Sequence, residues 1–102
     1  MSRTVNNITI ICYDITSNKL RNKIDKCLKD FGVRIQFSLF LCRLNSESIE
    51  RCRTKLLEIL EKFKDETTAW DSLIILEWLN PNNFDCLLGA KIEQSTKKFA
   101  IF

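Results

Sequence analysis

The sequence predicts an α+β domain in which two amphipathic helices cover one face of a mainly antiparallel sheet. Segments of β-rich, apolar composition alternate along the chain with two segments of helical periodicity. The 102 residues suffice for one domain with one core. With 45% hydrophobic and 28% charged residues, two glycines and one proline, the composition is typical of a folded globular domain rather than of a disordered chain.

The first half of the chain predicts a strand followed by a helix. Residues 8–15, ITIICYDI, are apolar on both faces of a strand, which indicates a central position in the sheet. Residues 16–18 are Thr, Ser and Asn, which cap helix N-termini, and a helix is predicted over residues 18–31. Gly32 then stands where a left-handed C-cap residue is expected. The helix has one apolar stripe, formed by Leu20, Ile24, Cys27, Leu28 and Phe31.

The second half predicts strand, helix and strand. Residues 33–44 alternate as a strand that is long for a single element, so they form either one strand with a bulge or break near Ser38 or two short strands. A second helix is predicted over residues 47–63, after Ser46, and a further strand over residues 72–79. This order is that of a ferredoxin-like βαββαβ sandwich, a fold that hosts many functions.

The end of the chain predicts self-association. Residues 80–83 indicate a turn, residues 84–90 are ambiguous, and residues 99–102 are apolar up to the carboxylate. Strand addition to a second copy would cover such an end, so we expect a two-fold homodimer. Residues 1–102 then form one domain, with a core fold over residues 8–79 and a dimerisation segment and strand over residues 80–102.

Composition excludes several kinds of site. The chain has no histidine, which excludes His-based triads and His metal ligands. Its five cysteines include no CxxC pair, so they are interpreted as small buried hydrophobes in a reducing compartment rather than as a zinc site. Without an apolar run of membrane-spanning length or a secretory signal, the expected location is cytoplasmic, with no membrane partner.

Positive charge is concentrated in the first half of the chain. Residues 1–43 hold eight Lys and Arg against three Asp, although the net charge of the whole chain is only +3. These cations predict either contacts with a nucleic-acid phosphate backbone or a surface that is basic for solubility, and the charge pattern leaves both open. The candidates for phosphate binding are Lys19, Arg21, Lys23 and Arg34.

Two further side chains are candidates for chemistry. Asp14 lies at the end of the first strand, where a carboxylate could hold a hard divalent cation such as Mg²⁺ and a dimer axis could bring in a second Asp14. The alternative is a turn Asp that accepts hydrogen bonds from N–H groups around Thr16. Phe40 lies on the polar side of its predicted strand, where its ring either stacks on a base or fills a dimer contact, or else packs in the core.

Several of these residues stand in an order that resembles the CRISPR-associated Cas2 family. The strand ends in Tyr13 and Asp14, the helix opens with residues 20–22 (Leu-Arg-Asn), and Asp71 and Ser72 precede the later strand. Between them, the matching residues are Gly32, Arg34, Gln36, Ser38 and Phe40. The chain departs from the family pattern at Lys23, where Arg is frequent, at Phe37, where Tyr is frequent, and at Leu41, where an acid is common.

The resemblance implies a set of expectations. The fold would be ferredoxin-like, and the C-terminal strand of each subunit would lie on the sheet of the other. The two copies of Asp14 would face each other and bind one Mg²⁺, with Arg21, Lys23, Arg34 and Phe40 as the other activity-linked residues. The dimer would cleave single-stranded RNA or double-stranded DNA, and it would bridge two dimers of the Cas1 integrase during spacer acquisition.

Other functions fit the same sequence. The dimer could be a non-catalytic DNA-binding scaffold of the integration complex, in which case Asp14 would be structural. A toxin-type ribonuclease of the virulence-associated protein D kind would share the fold and the Asp. A small-molecule-sensing ferredoxin-like domain is a further alternative, but the sequence has no Gly-rich or polar ligand loop that supports it.

Overall fold

The predicted βαββαβ order is confirmed in the computed structural model, which describes residues 8–79. The elements are β1 (Ile8–Asp14), α1 (Asn18–Leu28), β2 (Gly32–Gln36), β3 (Leu39–Cys42), α2 (Ser46–Lys62) and β4 (Ser72–Leu79), with a 3₁₀ turn at Lys64–Glu66. The strands form one antiparallel sheet in the order β2-β3-β1-β4. The predictions for the turn, the ambiguous segment and the apolar end fall outside the described residues.

Both helices begin at a side-chain cap. The Ser17 hydroxyl accepts a hydrogen bond from the Leu20 N–H at 3.2 Å, and the Asn45 side chain accepts one from the Ser48 N–H at 2.8 Å. The second helix thus starts one residue earlier than predicted, because Asn45 rather than Ser46 caps it. Neither helix within residues 8–79 is both long and apolar enough to cross a membrane.

Gly32 is required for close packing rather than for a left-handed turn. The first helix ends at Leu28, and Gly32 begins β2 without a positive φ, so the predicted left-handed C-cap is wrong. A Cβ on Gly32 would lie 2.5 Å from both the Cys42 sulfur and the Leu41 carbonyl oxygen. Its register partner on β3 is Cys42, and these two strands approach too closely for a side chain at Gly32.

The long apolar segment folds as two strands. A turn at Phe37 and Ser38 separates β2 from β3, which places the break where the sequence indicated it. The register pairs Arg34 with Phe40 on adjacent strands and shifts between Arg34 and Gln36. The first helix precedes this hairpin, and α2 and β4 follow it, which is the order of a ferredoxin-like sandwich.

The two faces of the sheet have different surroundings. The helix-covered face holds the larger core, in which Tyr13, Phe40 and Cys42 of the sheet are in one cluster with apolar residues of both helices. The opposite face, called the open face below, carries a smaller cluster of strand residues, formed by Ile8, Ile10, Ile35 and Leu41 with Leu39 and Leu79 against it. On this face Ile74 and Leu76 of β4 remain 49% and 45% exposed.

The described cysteines behave as the sequence predicts. Cys42 and Cys52 are buried in the larger core, and Cys12 and Cys27 are partly buried. None of these four is in a disulfide. Their surroundings are those of small hydrophobic residues, and the fifth cysteine lies outside the described part of the chain.

Candidate functional site

Asp14 is an exposed carboxylate at the end of the central strand. It is the last residue of β1, pairs in register with Ser72, and follows Cys12 on the open face. Within residues 8–79 its side chain takes part in no hydrogen bond and no ion pair. The carboxylate therefore has its ligand positions available to something outside this part of the chain.

The turn role considered for Asp14 belongs to Asp71. One oxygen of Asp71 accepts hydrogen bonds from the Thr16 backbone N–H at 3.0 Å and the Thr16 hydroxyl at 2.9 Å. The other accepts from the Thr68 N–H at 3.0 Å. These donors lower the pKa of the Asp71 carboxyl, with the Thr68 N–H the largest cause. The alternative in which Asp14 binds the N–H groups around Thr16 is therefore wrong, because Asp71 binds them.

Arg21 lies at the same end of the sheet as Asp14. Its guanidinium donates through Nη1 to the Ile15 carbonyl oxygen at 2.7 Å and through Nη2 to the Asn18 side-chain oxygen. Ile15 directly follows Asp14, so Arg21 is anchored beside the end of β1. This contact was not predicted, and it places one of the candidate phosphate-binding cations near the free carboxylate.

Arg34 belongs to a different group of residues, on the helix-covered face. Its guanidinium lies 2.6 Å from the Asp25 carboxylate of α1 and 5.5 Å from the centre of the Phe40 ring. The Tyr13 hydroxyl donates to the other Asp25 oxygen, and burial is the main cause that raises the pKa of Tyr13, with the Asp25 hydrogen bond second. Asp25 thus holds Tyr13 and Arg34 together between α1 and the sheet.

Phe40 packs in the core. Its side chain is 0% exposed, and its ring lies 6.4 Å from the Tyr13 ring, centre to centre. A base cannot reach a fully buried ring, so stacking of Phe40 on a base is excluded and the core-packing alternative is the one observed. The buried Phe40 ring packs under the Arg34 guanidinium.

The predicted cations Lys19 and Lys23 converge with a third lysine. Their ammonium groups lie 5.7 and 5.8 Å from the centre of the Phe63 ring, and the Lys62 ammonium of α2 lies 5.9 Å from it. In the described part of the chain none of the three lysines is within ion-pair distance of a carboxylate. We call these three residues the lysine cluster. Lys62 was missed because its position on the last turn of α2 does not reveal a spatial neighbour on α1.

The structure thus divides the predicted site residues into three places. Asp14 ends β1, and Arg21 is anchored on the residue that follows it. Lys19 and Lys23 lie over the Phe63 ring. Arg34 and Phe40 lie on the opposite face of the sheet from Asp14. Asp25 was not predicted as the partner of Arg34. It is the one acid among the eleven residues of α1, and this departure from a basic pattern was a usable signal.

The donor set at Asp14 fits Mg²⁺ only in part. Among residues 8–79 no group of three or more acidic or cysteine side chains could hold a metal ion. Mg²⁺ prefers oxygen ligands, keeps several waters and commonly binds proteins through one or two carboxylates. One free, exposed carboxylate supplies one such ligand, and a second copy of Asp14 would supply another.

Fold and site together define a ferredoxin-like α+β domain with a free carboxylate at the end of its central strand. Residues 7–86 match the family described as CRISPR associated protein Cas2. The chain belongs to this family.

Curated relatives carry the name CRISPR-associated endoribonuclease Cas2. One from Chloroflexus aurantiacus is 33% identical over 61% of this chain and 67% of its own length. One from Nitrosomonas europaea is 33% identical over 60% of this chain and 58% of its own length. One from Rhodospirillum rubrum is 55% identical over 30% of this chain and 25% of its own length. The aligned segments thus span from a quarter to two thirds of these relatives.

Solved structures share the fold. A hypothetical protein from Thermus thermophilus superposes with a TM-score of 0.65 at 26% identity and covers 81% of this chain and 93% of its own. Streptococcus pyogenes Cas2, crystallised at pH 6.5, superposes with a TM-score of 0.57 at 19% identity over 79% of this chain and 99% of its own. At that identity the second likeness concerns the fold.

Proposed function

We propose that this chain acts in CRISPR spacer acquisition as a homodimer with Mg²⁺-dependent endonuclease activity on single-stranded RNA or double-stranded DNA. In this proposal two Asp14 carboxylates, one from each subunit, hold the ion, and the dimer bridges dimers of the Cas1 integrase. The observation that carries the proposal is the free, exposed carboxylate of Asp14, since Asp71 accepts the hydrogen bonds that a structural Asp14 would take.

The open face supports the dimer. It lies on the side of the sheet away from the helices, and it presents the half-exposed side chains of Ile74 and Leu76 on β4, which is an edge strand among residues 8–79. An exposed apolar sheet face is covered by association in many proteins. Asp14 lies on this same face, at the end of β1, so a two-fold axis near that end brings the two carboxylates together.

The residues of the chain have distinct roles in this proposal. Asp14 binds the ion, and Arg21, anchored on the Ile15 carbonyl, places positive charge beside the strand end where a scissile phosphate would lie. Lys19 and Lys23 attract the phosphate backbone further along α1. A bound Mg²⁺ supplies Lewis-acid stabilisation of the charge that develops on phosphoryl oxygens.

A non-catalytic scaffold is the second candidate, and the ion pair of Arg34 favours it. Arg34 is engaged by Asp25 on the helix-covered face, so one of the cations expected to clamp a phosphate is already paired. A scaffold needs only backbone contacts from the lysine cluster, and Asp14 would then contribute no chemistry. Membership of the Cas2 family argues against the toxin-type ribonuclease.

The decisive experiment is a cleavage assay with Asp14→Ala. Purified protein is incubated with labelled single-stranded RNA and double-stranded DNA in Mg²⁺ or EDTA, beside Asp65→Ala as a control that removes an exposed carboxylate without a side-chain partner in the described chain. We expect cleavage that requires Mg²⁺, disappears in Asp14→Ala and persists in the control. Absence of cleavage together with retained duplex binding would overturn the catalytic proposal and leave the scaffold.

Light scattering on the same samples tests the dimer. Wild type and Asp14→Ala should both have twice the 12.0 kDa mass of the chain, because the apolar face rather than the carboxylate holds the copies together. A monomeric wild type would contradict the homodimer and the shared ion at once.

A further inference from the structure

Among residues 8–77, two aromatic side chains are the most exposed large hydrophobic residues. Trp70 is 88% exposed and Phe37 is 78% exposed, whereas Leu57, the next, is 59% exposed. A single exposed hydrophobic residue needs no explanation. Two exposed aromatic residues at the same end of the sheet, in contrast, suggest a binding surface.

Both rings lie at the end of the sheet that carries Asp14. Trp70 precedes by two residues Ser72, the register partner of Asp14 on β4. On the other side, Phe37 is next to Ser38, whose carbonyl oxygen accepts the Tyr13 N–H at 3.1 Å, one residue before Asp14. Adjacent strands are about 4.8 Å apart. Trp70 and Phe37 therefore lie near the end of β1, one on the β4 side of Asp14 and one on its β3 side.

The loop that carries Trp70 is tied down by hydrogen bonds. The Trp70 N–H donates to the Thr68 hydroxyl at 3.2 Å, and the Asp71 N–H donates to the Thr68 carbonyl at 3.2 Å. The Asp71 carboxylate joins this loop to Thr16, which lies in the connection between β1 and α1. Hydrogen bonds thus connect the backbone at Trp70 to its neighbours, while the indole is exposed.

Two cations lie at this end of the domain. Arg21 is anchored on the Ile15 carbonyl at the end of β1, and Lys19 follows on the first turn of α1. The carboxylates of Asp71 and Glu66 also lie at this end, where they accept hydrogen bonds from the hydroxyls of Thr16 and Ser17. In the arrangement proposed below, phosphates lie against Arg21 and Lys19 while bases reach the rings.

We propose that Trp70 and Phe37 stack on bases of a single-stranded nucleic acid whose backbone passes Asp14. The inference rests on the proposed function and adds that the nucleic acid bound at that site is single-stranded. Aromatic stacking accepts every base but requires an unpaired one, so it selects single strands over intact duplex without reading sequence. A protein partner that covers the two rings is the competing occupant, and the experiment distinguishes it.

The test measures binding to a short single-stranded oligonucleotide and to the same backbone with abasic sites, by fluorescence anisotropy in EDTA to prevent cleavage. Wild type should prefer the strand with bases. Trp70→Ala and Phe37→Ala should each weaken that binding roughly tenfold and leave binding to the abasic strand unchanged. Trp70→Phe and Phe37→Tyr should keep the preference, and Leu57→Ala, an exposed apolar residue on α2, is the matched control.

Two results would overturn the inference. One is an unchanged preference for bases in both alanine variants, and the other is a loss of dimer mass in those variants, which would assign the rings to a protein contact. Asp14→Ala should retain the preference, because it changes the ion site and not the rings. If cleavage proves independent of Asp14 while the preference depends on Trp70, the proposed function fails and the stacking inference stands.

Discussion

Asp71 and Thr16 are joined by two hydrogen bonds across 55 residues of sequence, one from the Thr16 backbone N–H and one from its hydroxyl. This pair fastens the segment before β4 to the connection between β1 and α1. It also leaves Asp14, two residues before Thr16, without a structural task in the described chain. The Asp14 carboxylate is thus free at the candidate site because Asp71 accepts the hydrogen bonds from Thr16 that join these two segments.

Replacement of Asp71 should weaken the fold in a pH-dependent way. The folded-state pKa of Asp71 is lowered, so its contribution is present above the ordinary carboxyl pKa of about 4 and is lost as the pH falls through the lowered value. Asp71→Ala should lower the urea midpoint at pH 7, and the difference from wild type should shrink towards pH 3. Asp65→Ala is the control, and an equal loss in both variants at pH 7 would contradict the role of Asp71.

Removal of Asp25 should destabilise the protein more than removal of a surface acid. Asp25→Ala leaves the Arg34 guanidinium and the Tyr13 hydroxyl without their partner in a half-buried place, which we expect to cost about 1–3 kcal/mol of unfolding free energy. Glu61→Ala breaks the exposed pair with Lys64 and should cost less than about 0.5 kcal/mol. Equal midpoints for the two variants would show that the Asp25 contacts contribute nothing.

The same cluster permits a double-mutant test. Tyr13→Phe removes only the hydroxyl, and in an Asp25→Ala background its effect should fall by roughly 0.5–1.5 kcal/mol relative to its effect alone. Additive effects would indicate that the Tyr13 hydroxyl does not bond to Asp25.

Alkaline pH should unfold the protein through its buried acids. Burial raises the pKa of Cys42 to about 12 and that of Cys52 to about 11, and burial with the Asp25 hydrogen bond raises the pKa of Tyr13. The unfolded chain loses these protons first, so stability is complete below about pH 9 and declines as the pH rises towards the folded values. Urea midpoints between pH 8 and 11 should fall less steeply in Cys52→Ala than in wild type, and identical slopes would contradict the shift.

The lysine cluster should contribute a measurable share of the salt dependence of nucleic-acid binding. Lys62→Ala should weaken duplex binding and reduce the slope of log K against log salt by about 1, because one phosphate contact is lost. Lys64→Ala is the matched control, since Lys64 lies two residues further on and is paired with Glu61 at 3.3 Å. A slope that changes equally in both variants would indicate a general effect of net charge.

Much of the fold could be predicted because it depends on local pattern. The apolar stripe from Leu20 to Phe31 and the polar residues before it determine a helix whose apolar face packs in the core with the sheet and α2. The C-terminal end of this helix could not be predicted, because Gly32 was compatible both with a left-handed helix cap and with close packing between two strands. The contact with Cys42, ten residues away on another strand, decides between the two.

The candidate site was predicted residue by residue but not as an arrangement. The chain order and the family resemblance led to Asp14, Arg21 and Arg34, yet strand alternation places Asp14 on the open face and the ion pair with Asp25 holds Arg34 on the other. For Phe40 the sequence left base stacking, a dimer contact and core packing open, and the structure buries its ring in the core with residues of both helices.

By itself the sequence determined the elements and their order, because helical and strand periodicity and capping residues are local properties. Its composition, which lacks histidine, determined the residue types available for chemistry. Only the tertiary structure decided which carboxylate is free and which is used. Asp14, Asp25 and Asp71 are chemically identical side chains that differ in their partners. Long-range packing brings Arg34 to Asp25 and Thr16 to Asp71, whereas the Asp14 carboxylate has no side-chain partner among residues 8–79.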